Sequence, residues 1–160
     1  MSQQTNPETQ SPETQSPDAA PPAAGRRHAP RTGPGIDGVS GFFGMRWQDP
    51  QTARLTVRDD LINGGGLLSG VVAYALVDYT MGSTLWVQTA EHERIATISI
   101  AINYLQTATA GDVICRSLLD RRNRTTAMLR SEVHAEDGRL LVTAVGSYAI
   151  FVPRASRPAP

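Results

Sequence analysis

Residues 63–78 read NGGGLLSGVVAYALVD, and Asp78 is the one charged residue of the stretch. It is flanked by Ala75, Leu76, Val77 and Met81. A carboxylate among such neighbours is costly to bury ionised unless it is paired or performs chemistry. General-base or nucleophilic catalysis is the chemistry a lone carboxylate offers. The alternative is an Asp on the solvent edge of a helix, or one satisfied by a nearby hydroxyl. Gly70 sits where the apolar run begins. A helix N-terminus presents free N–H groups at a positive dipole end, which suits a developing oxyanion. Glycine there lets a bound group approach the backbone with no Cβ in the way. The competing reading is that Gly64, Gly65, Gly66 and Gly70 only make a turn and pack a helix closely. Ser69 reads as an N-cap. It is not a triad nucleophile, because no histidine lies near it in the sequence to act as its base.

Several elements must position these residues. ARLTVR (53–58) alternates like a strand after the aromatic-rich FFGMRW (42–47), and DDLINGGG is a turn cluster. From Leu67 to Met81 the chain is apolar without proline, which predicts a buried helix that stops at Gly82. At about 15 residues it is shorter than the ~20 a bilayer crossing needs. Strand-like runs follow at TLWVQTA (84–90), IATISIAINYL (95–105), DVICRSLLDR (112–121) and RTTAMLRSEVHA (124–135). In the second of these, alternation sets Ile98, Ile100, Ile102 and Tyr104 on one face. It sets Thr97, Ser99, Ala101 and Asn103 on the other. EDGRLL is a hairpin signal leading into VTAVGSYAIFV. One helix followed by long antiparallel strands is an α+β pattern with the helix on one face of the sheet.

Composition bounds the rest. The formal net charge is zero and all fifteen basic residues are Arg, so there is no global field to attract nucleic acid or an anionic membrane. Cys115 is the single cysteine, which precludes an intrachain disulfide and fits a cytoplasmic location. Seven of the eleven prolines precede residue 35, around a near-repeat NPETQ SPETQ. Residues 1–35 are predicted to be a disordered Pro-rich tail and 154–160 a short second one, with 36–153 as the folded domain.

The ordered set strand, N-x-x-G-x-x-x-G, helix with Asp, then meander resembles the hotdog fold. More narrowly, it resembles the PaaI-like acyl-CoA thioesterases. That family's motif runs N-x-x-G-x-x-H-G-G with an acid nine positions beyond the His. Asn63, Gly66 and Gly70 match it and Asp78 falls at the acid's spacing, whereas Ser69 stands where the His belongs and Val71 replaces the second Gly. Thr97 and Tyr104 match a Ser/Thr seven residues before a Tyr, and Gly111-Asp112 and the run from Asp137 to Gly146 match later positions. The resemblance implies a hotdog fold with a long central helix on a curved antiparallel sheet, and hydrolysis of an acyl-CoA to free acid and CoA. It assigns the polarising role to the Gly70 N–H and the general-base or nucleophile role to Asp78. Asn63 and Thr97 would hold the attacking water or steer the carboxylate, although an ordinary turn Asn and an ordinary strand Thr explain them equally well.

Substrate-binding candidates are Ser69, Gly66, Arg124 and Arg122. The last two belong to a group with Arg116, Arg121 and Arg130 whose guanidinium groups suit CoA phosphates, or simply form a solvated face. No metal or other cofactor is expected, because no His/Cys/Asp cluster has ligand spacing. Helix geometry adds a constraint. Gly70 and Asp78 lie eight residues apart, about 12 Å along one helix, while a reacting carbonyl and its base need partners within ~3 Å. Two antiparallel copies related by a two-fold could supply both ends, in keeping with the homodimers or dimer-of-dimers tetramers that the resemblance implies. Two alternatives stay open: a non-catalytic acyl-CoA-binding hotdog, and a 3-hydroxyacyl thioester dehydratase. The latter wants a His beside the acid, and only His92 and His134 occur in the folded part, neither at the helix.

Overall fold

The computed structural model describes residues 36–153; the two tails expected at 1–35 and 154–160 lie outside the described residues. The short helix α1 (Gly38–Phe43) is followed by strands β1 (Arg46–Asp49) and β2 (Thr52–Thr56), a 3-10 turn at Asp59–Leu61, and the long helix α2 (Gly70–Trp86). Strands β3 (Arg94–Tyr104), β4 (Asp112–Arg122), β5 (Thr126–Ala135) and β6 (Leu140–Phe151) complete the chain. The strands form one antiparallel sheet in the order β1-β2-β4-β5-β6-β3. One long helix packed on such a sheet is the hotdog arrangement that the resemblance implies. The β5–β6 turn is the expected Asp-Gly hairpin, with Gly138 at φ 86° and the Asp137 carboxylate accepting from the Arg139 N–H at 3.0 Å.

The core forms where α2 lies on the sheet. Leu76, Val77, Met81 and Leu85 meet Val113, Leu129, Val133 and Tyr148, all buried. Gly146 is needed for this contact, because a Cβ there would sit 2.7 Å from Met81 Sδ. Cys115 is buried in the same layer, and burial pushes its thiol up to about 11, so it is chemically quiet.

Two features depart from the sequence-based expectation. Helix α2 begins at Gly70 with Ser69 at its N-cap, as those two residues suggest, and Leu68 before it is held extended by its N–H bond to the Ala108 carbonyl (3.0 Å). It does not stop at Gly82: it runs to Trp86, and TLWVQTA is not a strand. Ser83, Thr84 and Leu85 are buried, and their polar atoms are satisfied: Thr84 Oγ1 donates to the Thr80 carbonyl at 2.8 Å, and Ser83 Oγ donates to the Pro50 carbonyl. That burial outweighs the roughly 1 kcal/mol cost of a helix-interior glycine.

The second departure concerns β3. Thr97 pairs with Tyr148 and Ser99 with Ser147, so Ile98 is an extra residue in a β-bulge and is 59 % exposed. A bulge reverses the alternation on one side of itself. Thr97 therefore shares the helix-facing side with Ile100, Ile102 and Tyr104 instead of opposing them.

Candidate active site

The bulge on β3 decides what surrounds Asp78. It turns the Thr97 hydroxyl towards α2, where Oγ1 donates to Asp78 Oδ1 at 2.8 Å. From the neighbouring strand β6, the Tyr148 hydroxyl donates to the same oxygen at 2.7 Å and lies 3.1 Å from the Asp78 carbonyl. Tyr148 is 2 % exposed; burial first, then its bond to Asp78 and that group's charge, push its pKa up, so it stays a donor. Two donors fix Oδ1, while Oδ2 has no partner among the described residues. The carboxylate is thus oriented on one side and left free on the other, the arrangement a base or nucleophile needs.

Asp78, Thr97 and Tyr148 line a cavity of about 450 Å³ together with Tyr79, Gly82 and Trp86. Ile36 closes one side of it. The segment around Ile36 is anchored by Asp37, which caps α1 through the Ser40 N–H (2.9 Å) and accepts from the Tyr79 hydroxyl at 2.8 Å. Burial, then the bond to Asp37 and the charges of Asp37 and Asp78, hold Tyr79 up at about 12.

Gly70 lines a different cavity, about 210 Å³ in volume, with Asn63, Leu67 and Tyr104. Its carbonyl accepts from the Tyr104 hydroxyl at 3.0 Å. The N–H groups of Gly70 and Val71 donate no hydrogen bond among the described residues, as the first turn of a helix allows. Strand β3 therefore touches both places, Thr97 near its start at Asp78 and Tyr104 at its end at Gly70. The structure does not bring Gly70 and Asp78 to one cavity of a single chain.

The remaining candidates have plainer surroundings. Asn63 Oδ1 accepts from the N–H groups of Gly65 (2.8 Å) and Leu67 (3.3 Å), organising the glycine turn while the residue lines the Gly70 cavity. Gly66 has φ 78°, a conformation that favours glycine. Ser69 occupies the N-cap, and its side chain makes no capping bond. Arg122 is held by both carboxylate oxygens of Glu93, at 3.0 and 2.8 Å, whereas Arg124 is exposed in the β4–β5 turn. Neither His92 nor His134 lines either cavity. No helix among the described residues is long and apolar enough to cross a membrane, and no group of three or more His, Cys, Asp or Glu among them could hold a metal ion.

Sequence reasoning missed Tyr148. The one signal was a hydroxyl-bearing residue at an inward position of VTAVGSYAIFV, which an apolar core residue would imitate.

The sequence profile of the thioesterase superfamily matches residues 65–142, the span that carries Gly70, Asp78 and Thr97. Over that span the sequence is similar to this superfamily. The match points to a thioester hydrolase. The fold is shared with a thioesterase from Haemophilus influenzae at a TM-score of 0.70 and 15 % identity, over 76 % of this chain and 87 % of that one. A phenylacetic acid degradation-related protein of Ralstonia eutropha is similar at 0.65 and 22 %, over 72 % and 91 %. A Bacillus halodurans protein solved with CoA is similar at 0.66 and 14 %, over 71 % and 75 %. No curated protein shows significant similarity to the sequence.

Proposed function

We propose that this thioesterase hydrolyses acyl-CoA in sites shared by two copies of the chain. The observation that carries the reading is the carboxylate of Asp78, held on Oδ1 by Thr97 and Tyr148 with Oδ2 free. In one route Oδ2 takes a proton from water, whose oxygen attacks the thioester carbon. In the other Oδ2 attacks directly and water hydrolyses the resulting anhydride. Either way the carbonyl oxygen gains charge, the C–S bond breaks, and CoA leaves as the thiol. The Gly70 N–H of the second copy supplies the donor for that oxygen.

Two features support the shared site. Asp78 and Gly70 line separate cavities, about 12 Å apart along the helix. Strand β3 is an eleven-residue edge with no neighbour on its outer side among the described residues. Around it Val71 (71 % exposed), Tyr74, Ile98, Tyr104 and Leu105 are left in solvent. Long apolar edges of this kind pair with another chain. The B. halodurans protein solved with CoA supports CoA as carrier, and Arg124, exposed in the β4–β5 turn, is proposed to meet its phosphates. Asn63 is proposed to hold the substrate end of the Gly70 cavity.

A panel of acyl-CoAs assayed for free thiol tests the proposal. Wild type should release thiol, and Asp78→Asn should lose at least ~10²-fold. Unchanged turnover in Asp78→Asn would sink the mechanism, while binding of CoA esters without turnover would favour the non-catalytic alternative.

A further inference from the structure

We infer that Gly82 sets which acyl group the site accepts, and that this group is a neutral alkyl chain long enough to reach Trp86. The inference rests on the thioesterase reading of the Asp78 cavity. A glycine in a helix interior is unfavourable relative to alanine, so it calls for a reason. Gly82 is the thirteenth of the seventeen residues of α2. Its φ is not among the positive values, which belong to Gly44, Gly66, Gly111 and Gly138, so the backbone does not require it. A Cβ at position 82 would meet no atom within 4 Å, in contrast to the 2.7 Å contact at Gly146. Packing within the chain therefore does not require it either.

The space a side chain would fill belongs to the cavity. Asp78, Gly82 and Trp86 follow one another at four-residue spacing and all line it, about 6 Å per step along the helix. Ile95, Ala96 and Thr97 of β3 form the facing wall. An acyl chain whose carbonyl lies at Asp78 would run over Gly82 towards Trp86 and Ile95. At about 450 Å³ the space is of the size that holds small ligands. Among the described residues Asp78 is the one charged residue that lines it, and its negative charge disfavours an acyl group ending in a second carboxylate.

Gly82→Ala and Gly82→Leu test this on the full chain, with acetyl-, butyryl-, octanoyl- and succinyl-CoA. Each methylene displaced should cost roughly fourfold. The octanoyl-to-acetyl ratio of kcat/KM should fall about fourfold in Gly82→Ala and on the order of a hundredfold in Gly82→Leu. Gly82→Ala should also raise the melting temperature by about 3–5 °C. The second measurement needs no turnover: calorimetric binding of octyl-CoA, a thioether, should weaken by a similar factor in Gly82→Leu while CoA itself binds as before. The inference is overturned if selectivity and octyl-CoA binding are unaltered, or if acetyl and octanoyl turnover fall together. It is also overturned if Gly82→Ala lowers the melting temperature or breaks an oligomer, because the glycine would then serve close approach by a second copy. Wild type that binds octyl-CoA as described but hydrolyses no acyl-CoA would refute the catalytic reading alone.

Discussion

Gly70→Pro removes one hydrogen-bond donor from the proposed oxyanion site and puts ring carbons in its place. Gly70 is the first residue of α2, and Ser69 before it is extended at ψ 132°. Proline is favoured at the first helical position, where its missing N–H has no intrahelical partner, and it requires an extended residue before it. Stability should change by less than about 1 kcal/mol, with some gain from a stiffer unfolded chain. Turnover should fall by roughly 10²–10³-fold, the loss typical of one oxyanion donor. The sharper assay mixes this variant with Asp78→Asn. In a mixed dimer with shared sites, one site holds both lesions and the other holds neither. Random reassortment makes about half the dimers mixed, each with one intact site of two, so about a quarter of wild-type activity should return. If each site lay within one chain, every site would carry one lesion and nothing would return. Mixed dimers seen by mass spectrometry without recovered thiol release would refute the shared site. Full activity in Gly70→Pro alone would remove the Gly70 N–H from the mechanism.

Other expectations follow from the same geometry. Tyr148→Phe removes one of two donors to Asp78 Oδ1 and should lower kcat by about tenfold, the loss of one hydrogen bond to a charged group, with little change in KM; steady-state kinetics on the best acyl-CoA decide it. Ser69→Ala should shift thermal unfolding by less than about 2 °C, since no capping bond is lost, where a working cap would cost ~1 kcal/mol. Stability should decline in acid below the ordinary carboxylate value of 3.8, because Asp112 and Asp37 are both held under it. For Asp112 the Thr56 hydroxyl is the main cause, against burial and with Arg54 and Arg46; for Asp37 burial pushes upward but bonds from Ser40 and Tyr79 outweigh it. A depressed carboxyl contributes fully above its unfolded pKa and loses that contribution as pH falls through the folded one. Melting curves from pH 6 to 2 should therefore be steeper in wild type than in Asp112→Asn.

The parts of the site readable from sequence are those fixed by local spacing along one helix. A glycine at its start and a carboxylate two turns on survive any packing detail, and the Asp-Gly hairpin is equally local. The contacts that orient the carboxylate depend on pairing between distant strands. Simple alternation in IATISIAINYL sets Thr97 opposite Ile100, and a single extra residue, Ile98, reverses that. Nothing in the run itself announces a bulge, because its cause is the register against β6. Tyr148 is hidden for the same reason, as a core aromatic whose hydroxyl acquires a role only when Asp78 lies above it. Gly82 misleads in the opposite sense. It carries a stop signal, and the burial of Ser83, Thr84 and Leu85 overrides it.

Helix α2 also bears on why an Asp can stand where it does. A helix with one face on a sheet and the other in water normally has a polar outer face. Here the outer positions include Val71 and Tyr74, both exposed, and Asp78 is the one charged residue of the entire helix. That stripe is composed for burial on both sides, and the sheet covers only one. A second copy packed there would withdraw Asp78 further from water. The donors from Thr97 and Tyr148 on Oδ1 would then take the place of the hydration the carboxylate loses. On this view the two hydroxyls both orient the acid and stand in for its lost water, and the covering chain supplies the amide that the acid's own helix holds too far away.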